Sequence, residues 1–140
     1  MPPASFDLYA IFAYKRQAFL FRRQAEEIEF PGSFVRCGLP FMRIVAGYLK
    51  PTTVFLQRFG GLATKNILSM EKEQVYEFCN KGQIDLNQSA LGSAPINPPG
   101  YVIIKTSGHI LGAGLLMEDF RLLCRFPKAM RQAFARLTFQ

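Results

Sequence analysis

The densest group of chemically active side chains stands near the end of the chain. The stretch RLLCRFPKAMR, residues 121–131, carries four cations and no acid, and no acid follows it up to Gln140. Guanidinium and ammonium groups pair with phosphates, and each phosphate they neutralise releases counterions. Charge segregated in this way indicates contact with a polyanion; the alternative is a solvated cationic face that keeps the protein soluble.

Side chains that could do covalent or acid–base chemistry are few. His109 is the one histidine, and no nucleophile or orienting carboxylate can be assigned to it, so an exposed turn residue is the favoured interpretation. Cys37, Cys79 and Cys124 form neither a CxxC nor a Cys/His pair, which favours buried thiols over a disulfide or zinc scaffold. We therefore expect no enzyme activity, no metal and no cofactor.

Length and composition favour one domain in a reducing compartment. The 140 residues suffice for one core or two small packed lobes. The net charge is +7, and the surplus collects at the two ends, with seven cations to four acids in residues 1–50 and six to two in residues 101–140. The start carries no export signal, and the apolar run LYAIFAY is far shorter than the roughly 20 residues of a membrane span. We expect a cytoplasmic protein without membrane attachment.

The first half of the chain predicts strands followed by helices. FDLYAIFAYKRQAFLFRR predicts two short strands or one bent strand, and SFVRCGLPFMRIV predicts further strands. Proline is tolerated in the first turn of a helix, so Pro51 with TTVFLQRFGG predicts a short helix that ends at Gly60. NILSMEKEQVYEFCNKG predicts a longer helix, capped by Ser69 and ended by Gly82.

The second half predicts a sheet and a last helix. Residues 87–100 are a loop by composition and could link two lobes. Three strands follow, YVIIKTS, HILGAGLLM and RLLCRF, with turns at Ser107–Gly108 and Glu118–Asp119. The glycine pattern in GAGLLM lacks the third glycine of a dinucleotide loop, so Gly108, Gly112 and Gly114 are interpreted as residues that shape a hairpin.

The basic ending is predicted to form a last strand and a last helix, and each of them has an apolar and a basic face. In the last strand Leu122, Cys124 and Phe126 point one way, and Arg121 and Arg125 point the other. A helix that starts at Pro127 has an apolar and a polar face. The apolar face holds Ala129, Met130, Ala133, Phe134 and Leu137, and the polar face holds Lys128, Arg131, Gln132 and Arg136.

Two blocks of the sequence resemble a known RNA-binding domain. They are RCGLPFMRIVAGYLKPTTVFL, residues 36–56, and GYVIIKTSGHILGAGLLMEDFRLLCRFPKAMR, residues 100–131. The first has Arg36, Gly38, Leu39, Gly47, Pro51 and Thr52, and the second has Gly108, Leu111, Gly112, Gly114, Pro127, Lys128 and Arg131. In this order and spacing they resemble the C-terminal, PUA-like domain of Sun/Fmu-type RNA cytosine-5 methyltransferases.

The charges differ from that family pattern, and its catalytic half has no counterpart. Val45 and Ala46 stand where the family often has two lysines, Leu123 replaces another lysine, and Arg43 replaces an acid. None of the three cysteines follows a proline, as the family's catalytic cysteine does. The resemblance therefore implies a stand-alone RNA-binding domain.

The fold implied is α+β, a PUA-like mixed β pseudo-barrel with an N-terminal α/β lobe. The expected division is 1–86 for the lobe and 87–140 for the β-rich part, in one compact unit. The function implied is non-catalytic binding of structured rRNA or tRNA, as an accessory to RNA modification or ribosome assembly. The phosphate contacts predicted are Arg121, Arg125, Lys128 and Arg131, then Lys105 and Arg136; Tyr48, Tyr101 and Phe126 are candidate stacking faces.

Two alternatives remain open. One is a protein-interaction module that docks onto an RNA methyltransferase or a ribosome-assembly protein, with little RNA affinity of its own; the missing lysines at Val45 and Ala46 favour it. The other is a small enzyme built around His109 and a carboxylate, which a cleft holding both would indicate.

Overall fold

The computed structural model describes residues 6–24, 38–91 and 95–137. In these ranges the chain forms nine strands and three α-helices in a mixed α+β fold. The strands are β1 (Tyr9–Tyr14), β2 (Gln17–Arg22), β3 (Leu39–Val45), β4 (Tyr48–Pro51), β5 (Ile67–Ser69), β6 (Gln83–Asp85), β7 (Gly100–Thr106), β8 (His109–Leu116) and β9 (Arg121–Cys124). The helices are α1 (Thr53–Phe59), α2 (Lys72–Lys81) and α3 (Lys128–Leu137).

The first sheet is an antiparallel meander in the order β1-β2-β3-β4. Its opening segment forms two strands joined at Lys15–Arg16, so the first of the two sequence-based possibilities is confirmed. The β3–β4 turn is Ala46–Gly47, and both residues have positive φ, 50° and 82°. Two-residue turns of this kind match the right-handed twist of paired strands. The part of the predicted strand before residue 38 lies outside the described residues.

The second sheet has the order β5-β7-β8-β9-β6, in which only the β5–β7 pairing is parallel. The three predicted strands of the second half are confirmed as β7, β8 and β9. Strands β5 and β6 were not predicted, and they come from before residue 87. The second sheet therefore joins residues on both sides of the expected division between 1–86 and 87–140.

Two helix starts differ from the prediction. Pro51 ends β4, where it pairs with Met42, and Thr52 caps α1 by accepting a hydrogen bond from the Phe55 N–H at 3.2 Å. Ser69 belongs to β5, and α2 is capped by Glu71 through a reciprocal capping box with Gln74. Both predicted helices are confirmed, with Gly60 and Gly82 at their ends. The predictions were wrong for Pro51 and Ser69, because each belongs to a strand that precedes the helix.

Two cores lie on opposite faces of the β7–β8 hairpin. Val102 and Ile104 point into a cluster with residues of α2, β9 and α3. Ile103 and its partner Ala113 point into a second cluster with Leu20 of the first sheet and the buried face of α1. Because successive strand residues face opposite sides, β7 is apolar at consecutive positions.

Glycines in β8 leave room for side chains of the following segment. A Cβ at Gly112 would lie 3.0 Å from the Phe126 ring, and a Cβ at Gly114 would lie 2.7 Å from Leu122 Cδ1. Gly108 serves another purpose, since it stands with Ser107 in the β7–β8 turn and has a φ of +82°. The glycine pattern thus belongs to a hairpin turn and close packing.

We expect Gly114→Ala to lower the free energy of unfolding by about 1–3 kcal/mol, because the new methyl would overlap Leu122, which is fully buried. Gly61→Ala is the matched control. A Cβ at Gly61 would have no atom within 4 Å, so this variant should be neutral or more stable by up to about 1 kcal/mol. Urea denaturation followed by circular dichroism measures both. An equal effect of the two changes would contradict the packing role of Gly114.

Candidate nucleic-acid interface

Strand β9 and the residue that follows it present two arginines, Arg121 and Arg125, away from the main core. Leu122, Cys124 and Phe126 are buried, whereas Arg121 is exposed and Arg125 is half-buried, so the predicted alternation is confirmed. In α3, Met130 and Phe134 pack against the core. Ala129 and Ala133 were predicted on the same apolar face and are exposed; the side chain of Leu137 lies outside the described part of the structure.

The six predicted phosphate contacts occupy different surroundings. Lys105 lies near the turn end of β7, and Arg136 is exposed at the far end of α3. Lys128, at the start of α3, lines with Arg131 a surface pocket of about 410 Å³ that Cys79 and Phe126 also line.

Arg121 is paired within the chain. Its Nε lies 2.6 Å from Asp119 Oδ2, and both side chains are about half exposed. Hydrogen bonds from the side chain and the backbone of Arg121 hold the pKa of the Asp119 carboxyl below its ordinary value. An anion that contacts Arg121 would compete with this carboxylate.

Arg131 caps the C-terminal end of α2. Its Nε donates a hydrogen bond to the Cys79 carbonyl at 3.2 Å, one of the last carbonyls of that helix. The guanidinium also covers Gly82, where a Cβ would lie 3.1 Å from it. A cation at a helix C-terminus is favoured by the helix dipole, so Arg131 has a structural task whether or not it meets a ligand.

A group of three cations lies where the two sheets meet, and we call it the junction cluster: Arg43, Lys50 and Arg125. Arg43 and Lys50 are cross-strand partners in β3 and β4. The Lys50 ammonium reaches across to the second sheet and donates a hydrogen bond to the Arg125 carbonyl at 3.2 Å.

The junction cluster is electrostatically unfavourable as it stands. Burial, followed by the charges of Arg43 and Arg125, lowers the pKa of Lys50 from its ordinary 10.5. Within the described residues these three side chains form no ion pair, since the two pairs found there are Lys81–Glu77 and Arg121–Asp119. The buried Nε of Arg125 has no hydrogen-bond partner there either. An anion would satisfy this group.

Tyr101 in β7 is half-buried. Burial raises the pKa of its phenol, and the positive charges of Arg125 and Arg43 partly oppose that shift. Tyr48 in β4 is also half-buried. Phe126 packs against Phe78 in the core and is only 6% exposed, so this candidate stacking face was wrong.

Sequence reasoning missed Arg43 and Lys50 as members of the site. Their pairing depends on β4, a strand that was not predicted. The one signal in the sequence was Arg43 itself, because the family pattern has an acid at this position and the charge there is reversed.

The other reactive side chains form no catalytic constellation among the described residues. His109 is exposed at the start of β8. Cys79 and Cys124 are buried and not disulfide-bonded; a hydrogen bond from the Cys79 thiol lowers the pKa of Cys124 to about 7, and the same bond raises that of Cys79. In the described ranges no three His, Cys, Asp or Glu side chains are grouped to hold a metal ion, and no helix there is long and apolar enough to cross a membrane.

Comparison with solved structures identifies the fold. A conserved PUA domain protein from Thermoplasma acidophilum superposes with a TM-score of 0.51 at 15% sequence identity, over 94% of this chain and 88% of that one. The expected PUA-like α+β fold is therefore confirmed. The likeness does not single out the Sun/Fmu-type domain among PUA-like proteins. No protein-family model and no curated relative matches the chain.

We expect Arg131→Gln to lower the free energy of unfolding by about 1 kcal/mol, because the C-terminus of α2 loses a charged hydrogen-bond donor. Lys128→Gln, one turn away on an exposed site, should change it by less than about 0.5 kcal/mol. Guanidinium denaturation of both variants measures the difference. Equal stability of Arg131→Gln and the unaltered protein would contradict the capping role.

Proposed function

We propose that this protein is a non-catalytic RNA-binding protein and that the junction cluster forms the centre of its phosphate-binding surface. The observation that carries the proposal is the group formed by Arg43, Lys50 and Arg125, which lacks a neutralising acid among the described residues and keeps one buried guanidinium nitrogen unpaired. Guanidinium and ammonium groups in this state favour a phosphate as partner.

The net charge and the fold support the same assignment. A net charge of +7 attracts the phosphate backbone of nucleic acid and makes the affinity sensitive to salt. The PUA-like fold shared with the Thermoplasma protein adds an analogy with RNA-binding domains of that class. Of the cations predicted from sequence, Arg125 becomes the central one, and Lys105, Lys128 and Arg136 become peripheral contacts; Arg121 and Arg131 contribute only as far as their internal partners allow.

The finer role follows from the resemblance to the Sun/Fmu-type domain. We infer that the RNA is a structured rRNA or tRNA and that the protein assists RNA modification or ribosome assembly in the cytoplasm. An RNA methyltransferase or an assembly protein is the expected partner.

Docking to such a partner is a second candidate function, and one observation favours it. Large apolar side chains are exposed on the first sheet, among them Ile11, Phe12, Ile44 and Leu49, with exposures between 48% and 66%. If RNA binding is unaffected by neutralising the junction cluster while partner binding is retained, docking is the function to keep.

We expect Arg43→Gln, Lys50→Gln and Arg125→Gln each to lower affinity for a structured RNA by about tenfold, the value of one hydrogen bond to a charged group. Each should also reduce the slope of log affinity against log salt by about 0.7–0.9, because one phosphate contact is lost. Fluorescence anisotropy over a salt series measures both quantities. Arg22→Gln and Lys72→Gln, which remove one charge at exposed positions of β2 and α2, are the matched controls. If the controls weaken binding as much as the cluster variants, diffuse charge is responsible and the site is wrong.

We expect RNA affinity to fall as the pH rises toward 10.5, and the fall should begin at a lower pH than deprotonation of an ordinary lysine would produce. The reason is that the lowered pKa of Lys50 removes a cation on which the phosphate depends. The folded protein gains stability from Lys50 in the same pH window, because its unfolded form still binds the proton that the folded form has lost. Anisotropy with 2′-O-methyl RNA, which resists alkaline cleavage, tests the first effect. The decline should be smaller in Lys50→Gln; an identical pH profile would contradict a contact through the ammonium.

A further inference from the structure

An apolar groove of about 640 Å³ opens between the first sheet and the inner face of the second. Aromatic rings line much of it, namely Phe6, Phe41, Phe55 and Tyr101, and the exposed side chain of Leu49 stands at its rim. Lys65 and Asn66 are the polar residues on its lining besides the tyrosine hydroxyl, among the residues that the structure describes.

The groove and the junction cluster use adjacent residues of the same two strands. Met42, Leu49 and Pro51 line the groove, and the paired residues Arg43 and Lys50 directly follow Met42 and Leu49 in β3 and β4. Leu49 and Lys50 are neighbours in β4, the edge strand of the first sheet, and strand alternation sends their side chains to opposite sides. An aromatic groove and a group of unpaired cations thus lie on the two sides of one strand edge.

We propose that the groove receives one unpaired base of the bound RNA, with the phosphates next to that base on the junction cluster. The inference rests on the proposed function and adds to it the class of RNA, one with a bulged, looped or terminal nucleotide. Bases stack on aromatic side chains largely irrespective of sequence, and a base enclosed in an A-form duplex is not accessible for this. The cations beside the groove favour a nucleotide over an apolar protein segment.

Asn66 is placed to contact the edge of the base. Its backbone is fixed, since the N–H donates to the Pro95 carbonyl at 3.2 Å and the carbonyl accepts from the Ile103 N–H at 2.7 Å. Its side-chain amide has no hydrogen-bond partner within the described ranges. An amide offers both a donor and an acceptor, and the edge of an unpaired base requires both.

The first test uses the unaltered protein and two RNA hairpins of equal length, one fully paired and one with a single bulged 2-aminopurine. The chain contains no tryptophan, so the emission of the modified base is read without tryptophan background. We expect quenching of the bulged base on binding, and at least about fivefold tighter binding of the bulged RNA than of the paired one. A 2-aminopurine placed inside the stem should change little.

Variants separate this inference from the proposed function. Tyr101→Leu and Leu49→Ser should reduce the preference for the bulge toward one; Tyr101→Phe, which keeps the ring, and Leu8→Ser, at a 70% exposed position outside the groove, should preserve it. Equal binding of both hairpins with unchanged emission, in a protein still weakened by Lys50→Gln, would overturn the groove and leave RNA binding intact. Groove variants that keep the full preference would also overturn it, because the bulge would then be recognised elsewhere on the protein. If neither hairpin binds at all, both proposals fail.

Discussion

Burial of the β7–β8 hairpin on both faces is the constraint on which the rest of the structure depends. One face holds Val102 and Ile104 against α2 and α3, and the other holds Ile103 and Ala113 against α1 and the first sheet. Each face contributes apolar area at roughly 25 cal/mol per Å² removed from water. A charged side chain at any of these positions would be desolvated in one core or the other, so both layers are organised by this one hairpin.

The same constraint determines where cations can gather. Excluded from both cores, cations of neighbouring strands collect where the two sheets meet, and there Lys50 and Arg125 are half-buried while Arg43 stays exposed. Lys50 shows the consequence, because burial and two arginines lower the pKa of its ammonium. Such a group is stabilised when an anion binds, since none of the described acids forms an ion pair with the junction cluster. Fold stability and ligand binding therefore place opposite demands on these residues.

The positive charge of the chain is divided between structural and binding tasks. Arg131 completes the end of α2, and Arg121 pairs with Asp119. Arg125, four residues from Arg121 on the same face, has no acid as partner among the described residues; its backbone carbonyl accepts a hydrogen bond from the Lys50 ammonium. Three arginines in one short stretch thus differ in how readily they can contact a phosphate, because their surroundings differ.

The sequence by itself determined most of the local secondary structure. Alternation predicted β7, β8 and β9, and the predicted last helix is present as α3; Gly82 marked the end of α2 because only glycine readily adopts the left-handed conformation found there. The sequence could not show that residues 67–69 form a strand, since three residues carry no clear period and depend on β7 as a partner. Nor could it show the junction cluster, because Lys50 and Arg125 are 75 residues apart in the chain and charge patterns are visible only between near neighbours. The tertiary structure decided the site, since only the packing of one sheet on the other brings those residues together.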